Sequence, residues 1–380
     1  MKWNEKICIA ICIALVLSAP VQADEITYEK SPSADLVLEE NWKEVLDFLP
    51  EDIREEAADL NPAEGEGLDD KIGFRYWIER ILSSACGILD GFLPSMLPLF
   101  SMLLVISAVE MSIEITPESG LRKPFRLLTT LASSVLLFGI TERIMTGAAA
   151  YLDRICGVMN LLTPVMEGLY LAGGNLTQKA VTTEAVMLAV TLVGNFSGKL
   201  LAPLTNLLFT LSCMSGVCSD VKIGGFTGGL RKTIMRLWQF GTLLFSFLLS
   251  VQTILAKSAD SLAAKTARFA IGSFIPMAGG VIAEAFSTLK EGISVLKNAA
   301  GIGGIIVLLL IMVPGILPLI LYKCALSIAE TAAEMLNLGE MWGMIADIHG
   351  ITDMLFAFVL YTSLMFMLVI IIFTKAQVGG

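Results

Sequence analysis

Apolar residues run in long unbroken blocks over most of this chain, and only near the N-terminus do they alternate with polar ones at helical spacing. Five uncharged stretches reach the roughly 20 residues that a bilayer crossing needs: Gly91–Val109, Leu200–Ser219, Leu237–Ala256, Asn298–Tyr322 and Met354–Thr374. Leu127–Thr141, Ala185–Gly198 and Phe269–Ala283 are shorter candidates, about 15 residues each. The pattern predicts an all-α polytopic membrane protein with about six to eight transmembrane helices.

The first residues read differently. Lys2 and Lys6 precede an apolar run from Ile7 to Leu17, and Val21-Gln22-Ala23 follows a helix-breaking Pro20. That run is about half a bilayer span, so residues 1–23 read as a signal peptide cleaved between Ala23 and Asp24. Residues 24–83 then form a short polar, extracytoplasmic segment with amphipathic helices. Asn41 and Glu44 resemble a capping box, with Trp42, Val45, Leu46 and Leu49 on one face until Pro50. A second helix is predicted from Asp52 to Leu60. Ile72, Trp77, Ile78, Ile81 and Leu82 lead into the first span, and residues 84–380 form the polytopic domain.

Composition sharpens this division. The 380 residues are 55% apolar and only 16% charged, and mean hydropathy is +0.74, against about 25% charged in a soluble domain. Residues 24–83 carry 18 acidic and 6 basic side chains, and residues 84–380 carry 17 and 18. The chain's excess negative charge therefore sits in the polar segment. A nucleic-acid binder needs a basic face, so that class is excluded. Cys86, Cys156, Cys213, Cys218 and Cys324 lie in or beside apolar runs, and none falls in 24–83, so no disulfide framework is expected there.

A degenerate internal repeat of roughly 110 residues is visible. Leu121-Arg122-Lys123 and Arg126 are echoed by Leu230-Arg231-Lys232 and Arg236. Pro94 corresponds to Pro203 and Pro314, Pro164 to Pro276, and Pro94-Ser-Met-Leu-Pro98-Leu99 matches Pro314-Gly-Ile-Leu-Pro318-Leu319 at four of six positions. A proline in mid-helix frees a carbonyl that hydrocarbon cannot satisfy. Pro94, Pro98, Pro203, Pro276, Pro314 and Pro318 are therefore candidate kink and packing sites. Glu167 and Glu284 are candidate intramembrane carboxylates, and Asp153 and Arg154 could neutralise each other.

Enzyme signatures are absent. There is no Walker loop, Gly-x-Ser-x-Gly or Cys-x-x-Cys, so no catalytic residue, metal site or cofactor is expected. His349, the only histidine, reads as a solvated loop residue near Asp347 and Asp353. The basic clusters Arg122, Lys123, Arg126 and Lys222, Arg231, Lys232, Arg236 place their loops in the cytoplasm. Lys257, Lys265 and Arg268 conflict with that rule unless they are interfacial.

Residues 229–241, Gly-Leu-Arg-Lys-Thr-Ile-Met-Arg-Leu-Trp-Gln-Phe-Gly, followed by Lys-Thr-Ala-Arg-Phe-Ala-Ile-Gly-Ser-Phe-Ile-Pro at 265–276, closely resemble the stage III sporulation protein AE family. The likeness extends to Lys297-Asn-Ala-Ala-Gly301 and Gly303-Gly304-Ile305. It implies a non-enzymatic membrane subunit of a channel or secretion-like complex between mother cell and forespore, required for sporulation and late forespore gene expression. The implied partners are a secretion-type ATPase, small membrane proteins and ring-forming intermembrane proteins, and the implied location is the mother-cell membrane around the forespore. The residues alone leave open an alternative: an autonomous secondary transporter whose midplane site is built from Pro-kinked helices.

Overall fold

The computed structural model describes residues 42–58, 74–114, 122–172, 175–217, 223–274 and 279–375, all of them helical or in short turns. Two short helices, α1 (42–48) and α2 (Glu51–Ala58), precede α3 (Phe74–Glu114), α4 (Arg122–Ala172) and α5 (Leu176–Asn195). A π-helical turn, Phe196–Leu201, joins α5 to α6 (Ala202–Val217). Then come α7 (Ile223–Phe274), α8 (Gly279–Met335) and α9 (Gly339–Lys375).

Six of these stretches are long and apolar enough to cross a membrane: Tyr76–Met111, Leu127–Leu171, Leu176–Ser215, Gly225–Ala256, Gly301–Met335 and Met341–Thr374. Six is the low end of the expectation. Ala185–Gly198 and the described part of Leu200–Ser219 form one continuous helical path, Leu176–Ser215, that counts as one candidate span. Pro203 lacks the N–H that would bond the Lys199 carbonyl, and the wider π turn just before it absorbs the mismatch without ending the helix. Phe269–Ala283 falls across the boundary of α7 and α8 and is no single helix among the described residues. At about 1.5 Å per residue, the 51 residues of α4 run roughly 76 Å, far beyond a hydrocarbon core of about 30 Å. The long helices must therefore tilt or project from the bilayer.

The core is centred on α9, where Ile345, Ile348, Leu355, Phe358, Phe366 and Val369 are essentially inaccessible. In contrast, α7 buries only Thr227, Leu249 and Ala256 among its described side chains, and exposes Leu237, Phe240, Leu243, Phe247, Leu248 and Ile254. Those apolar residues lie outside the core of the bundle. The end of α8 is built locally: Asn337 takes a left-handed φ of 57°, and the N–H of Leu338 donates to Ala333 O at 3.0 Å while that of Asn337 donates to Glu334 O at 3.0 Å. This Schellman pattern stops the helix and reverses the chain into α9.

The polar segment's helices are not free-standing. Trp42, Val45, Leu49, Ile53 and Ala57 are buried in the same core as the spans. The Arg80 guanidinium lies 2.5 Å from Glu56, and Tyr76 donates to the other Glu56 oxygen at 2.8 Å, fixing α2 to the start of α3. Residues 1–41, with Ala23 and Asp24, and Pro276 lie outside the described residues.

Candidate functional site

Isolated polar side chains in apolar helices converge beside the π turn. Tyr151 of α4 is buried, and its hydroxyl is 2.5 Å from Ser363 Oγ of α9, which itself donates to Val359 O at 2.7 Å. Ser197, within the π turn, donates to Ala149 O at 3.4 Å, and Gln239 of α7 donates to the Tyr361 hydroxyl at 2.9 Å. Phe196, Trp238 and Phe358 pack their rings against one another at centroid distances of 4.3, 4.7 and 5.2 Å. The result is a polar layer, inside the bundle, that ties α4, α7, α9 and the π turn together. π turns are frequent at functional positions, and in lipid such hydrogen bonds link helices that the hydrophobic effect does not.

The proline pair of α8 sits on this layer. Pro314 and Pro318 lie inside the helix, and Gly315 between them is packed so closely that an added Cβ would land on the Tyr151 ring. Around them, Arg143, Gly147, Tyr151 and Arg154 of α4 face Pro314, Pro318 and Tyr322 of α8 across a cleft of about 160 Å³. Pro94 and Pro98 occupy the interior of α3 in the same way and are exposed. Ser95 between them accepts a hydrogen bond from Arg143 at 2.5 Å.

A second cluster joins α8 to α9. Lys323 Nζ lies 3.0 Å from Asp353 and stacks 5.3 Å from the Phe356 ring centroid. His349 Nδ1 is 2.7 Å from Glu330, and its Nε2 is 4.0 Å from Asp353. His349 is thus a half-buried residue within α9, not a solvated loop histidine. Arg231, near the start of α7, reaches the Asp347 carbonyl at 3.3 Å. Its guanidinium fills the space where a side chain at Gly350 would go. The network cross-links three helices through charge-assisted contacts.

Of the two carboxylates picked out from the sequence, Glu167 is paired: Thr183 donates to Oε1 at 2.7 Å and Lys179 Nζ lies 3.2 Å from Oε2. It pins α4 to α5 and is not an isolated intramembrane charge. Glu284 falls within α8, but its side chain lies outside the described residues. Asp153 and Arg154 are both exposed and do not pair with each other, because adjacent helical residues diverge by about 100°. Among the described residues no group of three His, Cys, Asp or Glu is placed to hold a metal ion. Sequence reading missed Tyr151, Ser363, Gln239 and Lys323. Their only local signal was a lone polar side chain inside an apolar run.

The profile of the family described as Stage III sporulation protein AE matches residues 125–377. A curated relative, Stage III sporulation protein AE of Bacillus subtilis (strain 168), is 24% identical over 207 residues, which is 54% of this chain and 52% of that protein. The match thus spans about half the length of the curated relative. No solved structure matches the chain. Since the family profile runs from the first turns of α4 to the end of α9 and takes in well over half the sequence, the chain belongs to the stage III sporulation protein AE family.

Proposed function

We propose that this chain is a non-enzymatic, multi-pass subunit of the channel complex that links mother cell and forespore during sporulation. The observation that carries the reading is the family match across α4–α9, together with six membrane-length helices. In this reading the subunit sits in the mother-cell membrane and works with a secretion-type ATPase, small membrane proteins and ring-forming proteins of the intermembrane space. It contributes scaffold or passage, and energy comes from the ATPase. The polar layer at the π turn, with Pro314 and Pro318 of α8 beside it, supplies the part of the bundle where helices can shift against one another. Purification of a tagged chain from sporulating cells in mild detergent is expected to recover the ATPase and the ring proteins. Isolation as a lone monomer overturns the proposal.

The topology follows from the same reading. Six crossings with the basic loops before α4 and α7 in the cytoplasm leave 24–83 outside, and return the end of α9 to that same outer side. An alkaline phosphatase fused after Lys375 is expected to be active and a green fluorescent protein dark. The opposite pair of signals requires an odd number of crossings.

A further inference from the structure

One face of α4 carries charge that the fold uses only in part: Arg143 bonds to Ser95, and Arg143 and Arg154 border the cleft toward α8. Glu142, Arg143, Asp153 and Arg154 are all exposed, within the 45-residue apolar stretch Leu127–Leu171. Apart from the Arg143 bond to Ser95, their side chains make no hydrogen bond or ion pair among the described residues. Ionised groups left facing hydrocarbon are costly, and as a rule they face a partner or a water-filled cavity.

Their arrangement specifies the partner. The two acids are 11 residues apart, as are the two arginines, which is three helical turns or about 16 Å. The acidic pair therefore forms one edge of a strip, and the basic pair forms another edge about 100° around the helix. Between the edges lie Thr146 and Ala150, with Gly147 beside the basic edge. All three are exposed, and nothing stands within reach of a Cβ at Gly147. Small residues in that position let two helix backbones approach closely. The strip ends at Gly157, where Phe48 of α1 packs over the helix.

We infer that this strip is a self-association surface on which α4 of one copy lies against α4 of a second copy. Two copies in one membrane have the same orientation, so facing helices run parallel about a twofold axis along the membrane normal. In that geometry the acidic edge of each helix meets the basic edge of the other, as flanking charges do in parallel coiled coils. Glu142 then pairs with the second copy's arginine at the same level, and Asp153 does the same one strip-length away. An anionic lipid fits less well, because Glu142 and Asp153 would repel its phosphate.

The test uses the full chain in a background without native cysteines, reconstituted in phosphatidylglycerol-containing nanodiscs or kept in its own membrane. Oxidative cross-linking of Ala150→Cys is expected to give a disulfide dimer, whereas Leu243→Cys on the exposed face of α7 does not. An all-acidic variant (Arg143→Glu with Arg154→Glu) should lose dimer yield by about tenfold, as should an all-basic one (Glu142→Arg with Asp153→Arg). Co-expressed, the two should cross-link to each other at the original level, a rescue that misfolded chains do not produce. Equal cross-linking at positions 150 and 243 overturns the inference, as does failure of the mixed pair. Loss of bound phosphatidylglycerol from the all-acidic variant with unchanged dimer yield overturns it too, making the strip a lipid site. The outcome is independent of the sporulation reading, since a dimer can form with or without the ATPase and ring proteins.

Discussion

Replacing Gly315 with alanine is expected to destabilise the bundle by about 3 kcal/mol, the upper end of what overpacking a core costs. The new methyl group would overlap the Tyr151 ring, and neither side can yield easily. Tyr151 is only 4% accessible, and its hydroxyl is held 2.5 Å from Ser363 Oγ on α9. On the other side, Gly315 follows Pro314 directly inside the continuous helix α8. The control is Gly241→Ala on α7, where nothing stands within reach of the new atom. That change should stabilise slightly, by about 0.5–1 kcal/mol, from helix propensity alone. Thermal denaturation in mild detergent, followed as loss of the monodisperse gel-filtration peak, separates the two. Coupling to Tyr151→Leu makes the assignment specific: the double variant should lose less than the sum of the singles. If Gly315→Ala denatures at the wild-type temperature, α4 and α8 do not pack as described.

The second large effect is expected at Lys323. Removing one partner of a buried ion pair leaves the other uncompensated, a loss of about 3–5 kcal/mol when burial is complete. Here the Lys323 and Asp353 side chains retain 25% and 17% accessibility, so Lys323→Ala should cost nearer 2 kcal/mol after screening. The loss should spread beyond one contact, because Asp353 also faces His349, and His349 is held by Glu330 at 2.7 Å. Lys323→Ala combined with Asp353→Ala should recover part of the loss, as no carboxylate is then stranded. The same denaturation assay reads all three variants. A double variant as unstable as the sum of the singles would mean that the 3.0 Å pair carries no coupling energy.

Both sites were poorly legible in the sequence, for different reasons. Lys323 and Asp353 stand equally far from Leu338, the turn of the α8–α9 hairpin, so antiparallel packing brings them level. Recognising this requires knowing that the turn is there. Asn337 and the helical run on either side do encode it, but with asparagine, not glycine, at the left-handed position the reversal was hidden inside what read as a loop around His349. The Gly315–Tyr151 contact had no such local trace, since it joins residues far apart in the chain. Pro203 was legible as a disturbance, and what it does is local: a π turn, Phe196–Leu201, directly precedes its helix. Whether that disturbance ends the helix or is absorbed depends on the neighbours that hold the turn, among them Phe196 against Trp238 and Phe358.

By itself the sequence determined that the chain carries several membrane-length apolar helices, where prolines fall within them, and which family it resembles. Apolarity and backbone hydrogen-bond loss are properties of a segment, readable without its partners. Tertiary structure alone decided how the apolar stretches group into helices, the docking of residues 42–58 into the core, and which side of each helix meets another. In lipid a side facing acyl chains is as apolar as a side facing a neighbour. The exposed apolar residues of α7 and the buried ones of α9 therefore look alike in sequence, and only packing distinguishes them.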